Sequence, residues 1–541
     1  MSMSEILSTS EIRALEDSLE AQGTSKKELM KLAGEHGALV AIQEFGGGPF
    51  VVLCGSGNNG GDGWVCADQL ALRGYEVSII TAVRPEEIKS EIAREQALHA
   101  VEVGLPIYVN PQKEEFEKLI SAADTIIDAI VGIGFTATEL KEPYKSWVRS
   151  INEQSFAKIL SIDVPSGMNA ESGSLAEDCM LADVTLSMFA LKPGFLRSQS
   201  KKYLGELVIA DIAQDAQEEI IKRSIARRPS SKELASYMPK LQVDANKYSR
   251  GTVLVVAGSE LFAGAAILAA KAAERSGAGY VRLVVPQGRA ETQARSHLTS
   301  IPVIALPANA DGTFAESAAS YLEALTRNIS CVLAGPGMGQ GEGSYQIVKE
   351  LLNLDCPLVL DADALNVIAK HQDDSLVQNP YILRRQMPLV LTPHPKELSR
   401  MCKTEVKEQF LDRLKDAKEL VWAVNSPEFC VLTKGDMSAG VSIEASIIPE
   451  LSNPANAKAG SGDVLAGCLA SLLAQSIEQA HHKHVSLEKL AALASNAHAL
   501  AADYASDRVG VHGMCAEDLL SSIGVALDAL EYQAQENLTE E

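Results

Sequence analysis

The sequence of 541 residues is short of positive charge, because 48 Lys and Arg residues stand against 71 Asp and Glu residues and give a formal net charge of −23. Nucleic-acid backbones are bound by clustered Lys and Arg, so this deficit argues against a nucleic-acid-binding protein. No apolar run is long enough to span a bilayer, and the first residues, MSMSEILSTS, lack the basic and apolar regions of a secretion signal. We therefore expect a cytoplasmic protein that binds neither nucleic acid nor a membrane.

Cysteine is also scarce. The nine cysteines are scattered, odd in number and form no CxxC pair. This pattern is typical of free thiols in a reducing compartment and disfavours a disulfide framework or a zinc site. The composition fits an enzyme that acts on small molecules.

Both halves of the chain alternate short Val-, Ile- and Leu-rich runs with longer helical patterns, which predicts α/β domains with parallel sheets. The expected strands are 50–53, 77–81, 125–130, 159–164, 184–188 and 207–212, then 252–257, 280–285, 331–334, 358–361, 389–391 and 429–433. Beyond Asp463 the pattern predicts three helices, 464–477, 487–505 and 516–533. Because the chain is too long for one core, we expect about two or three domains. We place them at 1–213 and 235–530, joined by a linker at 214–234 and followed by an acidic tail at 531–541.

The most informative motif is NAKAGSGDVLAG at residues 456–467, a glycine-rich turn that runs into an apolar helical pattern. The free backbone amides at a helix start attract a phosphate group. Asp463 in the same turn can accept a proton from a bound hydroxyl. The motif therefore predicts a phosphate site with an acid–base group beside it.

A second glycine-rich loop, CGSGNNGGDG at residues 54–63, follows the first expected strand. Gly55, Gly57 and Gly60 have the GxGxxG spacing of dinucleotide-binding domains, which alone is a weak signal. The acidic residue expected after the next strand is missing, and so is a Walker lysine. The distinctive part is NNGGDG, and the alternative is an ordinary glycine turn capped by Asp62.

Two further strand ends carry polar side chains. Asp128 lies in DAIVGIGF, and Asp163 and Ser166 lie in IDVPSGMNA. Ligands of wound α/β domains collect at the carboxyl ends of strands, so we expect these residues to share one site with the NNGGDG loop. The alternative for Asp128 is a helix cap or a turn residue.

The motifs CGSGNNGGDG, DAIVGIGF, IDVPSGMNAESG and ALKPG, with YLGELVIADIA, together resemble the NAD(P)H-hydrate epimerase family, the YjeF-type N-terminal domain, over about residues 5–213. The resemblance implies a Rossmann-like three-layer α/β/α fold, Asp163 as the acid–base group, and a potassium ion held by Asn59, Asp128 and Ser166. The residues that it implies for binding the hydrated dinucleotide are Asn58, Asn59, Gly60, Gly61, Asp62, Gly132, Ile133, Gly134, Phe135, Thr136, Ala137, Thr138, Tyr144 and Asp163.

The second half carries six motifs in order: GTVLVVAGSELFAGAAILAAKAAERSGAGYV, LAGPGMG, LDADALN, LTPHPKEL, VLTKGD and KAGSGDVLAG. They resemble the ribokinase-like NAD(P)H-hydrate dehydratase family over about residues 235–530. The resemblance implies a ribokinase-like α/β domain in which Asp463 is the base and Gly460 and Gly462 form the anion hole. The residues implied for the hydrate are Ala266, Gly337, Gly339, His394 and Asp463. Those implied for the adenine nucleotide are Lys434, Gly435, Asp436, Met437, Ser438, Gly460 and Gly462.

Other polar residues of this half have two interpretations. Asp361 and Asp363 suit a magnesium ion near the phosphates, and Asp361 equally suits a cap for the helix from Ala364 onward. Without the resemblance, His394 is better explained as a hydrogen-bonded histidine at a strand end. Glu397 and its neighbour Lys396 are expected to be solvated.

The two halves together predict repair of hydrated NADH and NADPH. The first domain would interconvert the R and S hydrates, and the second would dehydrate the S-hydrate with ADP, in preference to ATP, giving AMP and phosphate. Three alternatives stay open: a small-molecule kinase in the second half, a non-catalytic binding module in the first, and a plain NAD-dependent dehydrogenase. We expect a homo-oligomer, with the alanine-rich stretches 465–473 and 487–502 either at an apolar interface or in the core.

Overall fold

The computed structural model describes residues 5–197, 199–213, 216–371, 380–480 and 485–536. The chain divides into two compact units, Met1–Ala226 and Arg227–Glu541. The division falls inside the predicted linker 214–234, of which residues 214 and 215 lie outside the described ranges, as do residues 1–4 of the first predicted domain. The rest of the linker includes two helices, Gln217–Arg223 and Ser231–Ala235. Ile220 and Leu234 in these helices are buried, so the segment is only partly exposed.

The first unit is built on a sheet of seven parallel strands. They are β1 (Pro49–Cys54), β2 (Glu76–Thr81), β3 (Ile107–Val109), β4 (Thr125–Ala129), β5 (Lys158–Ile162), β6 (Val184–Met188) and β7 (Glu206–Ala210). Their order in the sheet is β3-β2-β1-β4-β5-β6-β7. The winding reverses between β1 and β4, and ligand sites in such sheets lie at the carboxyl ends of the strands beside this point.

Helices cover both faces of this sheet. The α-helices are Thr9–Gln22, Lys26–Phe45, Asn58–Leu72, Glu91–Glu102, Lys113–Ala122, Tyr144–Gln154, Lys201–Leu204 and Gln217–Arg223, and the 3-10 helices are Pro85–Glu87 and Pro193–Leu196. Phe50 and Val52 of β1 pack into one hydrophobic cluster, whereas Val51 and Leu53 pack into another. Alternate side chains of a strand point to opposite faces, so both faces of the sheet are buried. The predicted three-layer α/β/α fold is confirmed.

The second unit is built on one sheet, nine strands of which lie between Thr252 and Ile447. They are β8 (Thr252–Val256), β9 (Tyr280–Pro286), β10 (Val303–Leu306), β11 (Cys331–Ala334), β12 (Leu358–Leu360), β13 (Leu389–Leu391), β14 (Phe429–Thr433), β15 (Ala439–Val441) and β16 (Ser446–Ile447). Their order is β16-β15-β14-β13-β12-β11-β8-β9-β10. The strands are parallel except that β15 is antiparallel to both of its neighbours. The predicted α/β class of this half is confirmed.

The helices of the second unit lie before, between and after these strands. The α-helices are Ser231–Ala235, Ala263–Arg275, Arg289–His297, Leu322–Leu325, Glu342–Asn353, Asp363–Lys370, Pro380–Leu383, Pro395–Cys402, Phe410–Val424, Ser461–Ala480, Leu487–Val509 and Ala516–Glu536, and the 3-10 helices are Glu316–Tyr321 and Pro454–Asn456. The last helix ends at Glu536, so residues 531–536 of the predicted acidic tail are helical. Residues 537–541 of that tail lie outside the described residues.

Two sets of expectations are resolved by packing. The alanine-rich stretches 465–473 and 487–502 supply buried residues to the core of the second unit, including Leu469 and Ala494, so the core interpretation holds for them. Four strands were not predicted: β3, β10, β15 and β16. They contain two to four residues each and lie toward the ends of the two sheets, where no long apolar run is needed. Two further two-residue strands are Glu5–Ile6 and Ala226–Arg227.

Candidate active sites

The first site lies where β1 ends and the helix Asn58–Leu72 begins. The motif NNGGDG forms the start of this helix, and not a loop before it. A Cβ on Gly55 would overlap the carbonyl oxygen of Ile130, and a Cβ on Gly60 would overlap that of Gly55. Backbone approach this close explains why the turn needs glycine at these two positions.

Asp163 occupies the centre of this site. It follows β5 with φ 67°, a left-handed conformation that is uncommon for residues other than glycine. Its Oδ1 lies 2.6 Å from the Lys192 Nζ, and its Oδ2 accepts a hydrogen bond from the Ile133 amide at 3.0 Å. A Cβ on Gly132 would come within 2.5 Å of the same Oδ2. The predicted turn at residues 132–134 therefore begins directly against the predicted acid–base group.

Two more carboxyl groups face Asp163. Asp62 lies in the second turn of Asn58–Leu72 and does not cap this helix, since the cap is Gly57 and no side chain hydrogen-bonds there. Burial, Asp163 and Glu16 raise the pKa of Asp62 well above its ordinary value. Burial, and then Asp163, also raise the pKa of Glu16. The site therefore holds three acidic groups, and burial and their mutual repulsion raise the pKa of Asp62 and of Glu16.

The side chains of the first helical turn differ in their partners. Asn58 accepts a hydrogen bond from the Ser90 hydroxyl at 2.6 Å. Asn59 is different, because its side-chain Oδ1 and Nδ2 are buried and neither has a hydrogen-bond partner. Gly61 leaves room for the side chain of Met30. Leaving a buried amide unpaired is costly, so Asn59 is the residue of this turn most suited to a ligand.

The predicted potassium ligands share this neighbourhood. Asp128 is fully buried and accepts hydrogen bonds from the Ser161 hydroxyl at 2.9 Å and from the Ser166 hydroxyl and amide at 2.5 and 2.8 Å. It is therefore neither a helix cap nor a plain turn residue. Burial raises its pKa, although these hydrogen bonds oppose the shift. The oxygen-rich set, with a free Asn59 oxygen and a buried carboxyl group, fits a hard monovalent cation.

The residues after Gly134 become exposed to solvent. Phe135 is buried, and the next three residues are exposed: Thr136, Ala137 and Thr138. Tyr144 opens the helix Tyr144–Gln154, and burial, with Cys54 as a smaller cause, raises the pKa of its phenol to about 12. The phenol, which lies near Cys54 at the end of β1, therefore stays protonated.

Asp463 is the centre of the second site. It lies in the first turn of the 20-residue helix Ser461–Ala480, after Gly460 with φ 87°. Burial, with the negative charge of Asp361 as the next cause, raises the pKa of Asp463 to about 7, while Lys434 opposes the shift. A carboxyl group with this pKa exchanges a proton readily at neutral pH.

Lys434, which is predicted to bind the nucleotide, forms an ion pair within the protein. Its Nζ lies 2.6 Å from Asp361 Oδ1, which also accepts a hydrogen bond from the Thr392 hydroxyl at 2.7 Å. A Cβ on Gly462 would lie 3.6 Å from the same ammonium. Lys434 thus places a positive charge against the start of the Asp463 helix. Asp361 is a partner of Lys434 and not a cap, because the cap of Asp363–Lys370 is Ala362.

The carboxylates predicted for magnesium are bound to protein donors. Asp363 accepts the Gly339 amide and the Gln340 side-chain amide, each at 2.9 Å. Asp361 Oδ1 is paired with Lys434. Two carboxylates committed in this way do not fit a magnesium ion held between them. Within the described ranges, no group of three or more His, Cys, Asp or Glu side chains is arranged to hold a metal ion.

The residues predicted to face the hydrate lie around a second glycine turn. Gly337 and Gly339 have φ 62° and 79°, and a Cβ on Gly337 would come within 2.6 Å of Phe262 Cβ. Ala266 is fully buried, and a Cβ on Gly258 would lie 3.0 Å from its methyl group. The methyl group of Ala266 therefore packs against the turn at Gly258.

The predicted nucleotide turn connects β14 to β15. Gly435 is exposed with φ 148°, Met437 is buried and Ser438 is half-buried. Asp436 forms a close ion pair with Arg413, which lies on Phe410–Val424 and is 3% exposed. Arg413 lies in no sequence motif, so no pattern points to it.

His394 and Glu397 form a connected pair. His394 caps the helix Pro395–Cys402, and its Nδ1 accepts the Lys396 and Glu397 amides at 3.1 and 3.2 Å. Its Nε2 lies 3.2 Å from Glu397 Oε1. The prediction that Glu397 is solvated is wrong: it is 4% exposed, and burial raises its pKa to about 7. Lys396 is exposed as predicted.

A second histidine, His498, was missed. It lies on Leu487–Val509, and its Nε2 is 3.0 Å from the Ser461 carbonyl oxygen and 3.2 Å from the Ser461 hydroxyl. Burial lowers its pKa to about 4, so the ring is neutral. His498 therefore supports the turn that carries Asp463.

Comparison with known proteins matches both units to families. The NAD(P)H-hydrate dehydratase family matches residues 253–524, and the family of YjeF-related protein N-termini matches residues 26–194. The bifunctional NAD(P)H-hydrate repair enzyme Nnr of Salinibacter ruber is 35% identical over 85% of this chain and 85% of that protein. The enzyme of that name from Escherichia coli is 30% identical over 94% of this chain and 91% of its own. The chain belongs to the bifunctional NAD(P)H-hydrate repair enzymes.

As in its relatives, both units of this NAD(P)H-hydrate repair enzyme lie in one chain, and Asp163 and Asp463 each fall inside a matched region. Solved structures are similar to the separate parts. An ADP/ATP-dependent NAD(P)H-hydrate dehydratase from Bacillus subtilis, co-crystallised with ATP and Mg²⁺, is 24% identical over 56% of this chain and 98% of its own, with a TM-score of 0.45. A yeast protein is 26% identical over 36% of this chain and 86% of its own, with a TM-score of 0.33. No helix in the described ranges is long and apolar enough to cross a membrane.

Proposed function

We propose that this protein restores hydrated NADH and NADPH in two steps. The first unit interconverts the R and S hydrates, and the second removes water from the S-hydrate while ADP is converted to AMP and phosphate. The observation that carries the proposal is the placement of Asp463, a buried carboxyl group with a pKa of about 7, in the first turn of a long helix. Membership of the bifunctional repair enzymes supports both steps.

In the second unit, Asp463 accepts the proton of the substrate's C6 hydroxyl as that oxygen attacks the terminal phosphorus of the nucleotide. The amides at Gly460 and Gly462 and the ammonium of Lys434 stabilise the negative charge on the phosphoryl group. The phosphorylated oxygen then leaves C6 as phosphate, and loss of a proton from C5 restores the ring double bond. The nucleotide thus converts a poor leaving group into a good one.

In the first unit, Asp163 would carry the proton at the C6 hydroxyl while the configuration at C6 inverts. Its second carboxylate oxygen is held by Ile133, so the turn at residues 132–134 fixes where the reacting ring lies. Potassium, when bound by Asn59, Asp128 and Ser166, would supply positive charge beside the dinucleotide. Asp62, whose pKa is raised by burial, would bind the same substrate.

Several finer features of the proposal are expectations. ADP is favoured over ATP as the co-substrate, and magnesium would arrive with the nucleotide phosphates, since Asp361 and Asp363 are committed to protein donors. The protein is expected in the cytoplasm as a homo-oligomer. The stretches 465–473 and 487–502 do not supply its interface, because they form the core.

The test starts from a mixture of the hydrates of NADH, with recovery of the dihydronicotinamide absorbance as the readout. Wild-type protein is expected to restore the whole mixture with ADP, and more slowly with ATP. Asp463→Asn is expected to leave the hydrates unrestored while R and S still exchange, as followed by chromatography. A stable phosphorylated product without NADH would instead identify a small-molecule kinase. Absence of epimer exchange would leave the first unit as a binding module.

A further inference from the structure

Lys192 is a charged side chain without exposed surface. It lies between the end of β6 and the 3-10 helix Pro193–Leu196, and its relative exposure is 0%. Buried ammonium groups are rare unless they are paired. The partner here is Asp163, whose Oδ1 lies 2.6 Å from the Lys192 Nζ. Nothing in the proposed chemistry above uses this lysine.

All three protons of the Lys192 ammonium have partners within the protein. Besides Asp163, Nζ donates to the Ser187 hydroxyl at 2.8 Å and to the Met188 carbonyl oxygen at 3.2 Å. The Ser187 hydroxyl itself donates to the Ala190 carbonyl oxygen at 2.6 Å, so its lone pairs are free to face the ammonium. An ammonium has three donors, and none is left for a substrate.

The position of the ammonium is therefore set by the end of β6, and it sets the position of Asp163 in turn. The other oxygen of Asp163 is held by the Ile133 amide, so both oxygens of the carboxylate are fixed. The remaining titratable groups that face Asp163 are Asp62 and Glu16, which are both acidic. Without Lys192, three carboxyl groups would share this site with no paired cation among them.

We propose that Lys192 is a positioning residue of the first site: through its ion pair it fixes the orientation and charge of the Asp163 carboxylate without touching the hydrate. The inference rests on the proposed epimerase function of this unit. Loss of the ammonium should therefore lower the turnover of epimer exchange and leave the affinity for the hydrate nearly unchanged. A lysine with only a structural role would instead change the stability of the protein without lowering kcat selectively over KM.

The experiment uses the full chain and measures both activities of each variant. Lys192→Met is expected to lower kcat for epimer exchange by about 100-fold, the scale of a lost acid–base group, with little change in KM. ADP-dependent dehydration of purified S-hydrate by the same preparation should stay at the wild-type rate. Lys202→Met is the matched control, because Lys202 is an exposed lysine nearby, and it should behave as wild type in both assays.

A second variant separates positioning from folding. Lys192→Ala leaves space for a small amine, and added ethylammonium is expected to restore epimer exchange, whereas tetramethylammonium, which cannot donate hydrogen bonds, is not. Exchange by Lys192→Met at the wild-type rate would overturn the inference, and so would failure of ethylammonium to rescue Lys192→Ala. If the wild-type protein itself does not exchange the epimers, the proposed function of the first unit fails. That outcome is distinct from the results for the lysine variants, which test only the role of Lys192.

Discussion

Each unit of this enzyme buries a lysine–aspartate ion pair beside its candidate site, and the two pairs serve different carboxylates. Lys192 is paired with Asp163, and Lys434 is paired with Asp361, each at 2.6 Å. In the first unit the paired aspartate is the proposed acid–base group. In the second unit the proposed base, Asp463, lies outside the pair, and burial and Asp361 raise its pKa to about 7.

The difference teaches how the same two side chains prepare a carboxyl group for two tasks. A lysine bonded directly to the reacting carboxylate fixes its orientation. A lysine bonded to a neighbouring aspartate leaves the proposed base free of a tight partner. Burial and the charge of that aspartate then raise the pKa of the base toward neutrality, although the lysine opposes the shift. A base that must take a proton during phosphoryl transfer benefits from the second arrangement.

The largest expected effect comes from removing the unpaired base. Asp463→Asn should lower ADP-dependent dehydration by about 100- to 10,000-fold, the range for loss of a general base. Epimer exchange in the same chain should stay at the wild-type rate. Asp528→Asn, at an exposed aspartate on the last helix, is the matched control and should retain both activities. Dehydration by Asp463→Asn at the wild-type rate would contradict the assignment of the base.

The second prediction concerns the pair that does not include the base. Lys434→Met should lower the free energy of unfolding by about 3 kcal/mol, because it leaves the Asp361 charge buried without its partner. This lies at the low end for buried pairs, since the Lys434 side chain retains 16% exposure. Denaturant unfolding measures the change, with Lys415→Met, at an exposed lysine, as the control. The double variant Lys434→Met/Asp361→Asn should regain most of the lost stability, and no recovery would show that the pair is not the cause.

The sequence alone predicts what local patterns determine. The buried strands produce apolar runs, and the tight turns need glycine, so both sheets and the positions of Asp163 and Asp463 follow from the motifs. The short strands β3, β10, β15 and β16 were missed, whereas β12 and β13, which are as short, lead directly into the motifs LDADALN and LTPHPKEL.

Sequence patterns do not predict the burial of a residue when that burial depends on packing between distant segments. Lys192 and Glu397 are charged residues in recognised motifs, and no local signal distinguishes a solvated charge from a buried one. Lys192 is buried because the end of β6 surrounds it, and Glu397 because its helix packs next to Asp361 and Lys434. Glu16, Arg413 and His498 lie in no motif at all, and only the fold brings them to the sites.

The third prediction tests the comparison through pH. Asp463 acts as a base when ionised, and its pKa is about 7, so dehydration should rise with pH through about 7 and level off above it. Asp361→Asn removes the negative charge that raises this pKa and releases Lys434 toward Asp463. Both changes favour the ionised form, so the rising limb should move to lower pH. The kcat/KM profile of the variant measures the shift, and an unmoved or higher limb would contradict the role given to the pair.

The smallest expected effect lies at the edge of the second site, where Glu397 faces His394. Because His394 Nδ1 accepts two backbone amides, the ring proton is on Nε2, 3.2 Å from Glu397 Oε1. Glu397→Gln replaces one hydrogen-bond acceptor by another without charge, so we expect a cost of about 1 kcal/mol, or roughly a fivefold rise in KM for the hydrate. Glu397 has a pKa of about 7, so the rise should be larger at pH above 7, where the native side chain is ionised, than below it. Lys396→Met on the same helix turn is the control. A KM that rises equally at all pH values would show that the charge of Glu397 does not act on His394.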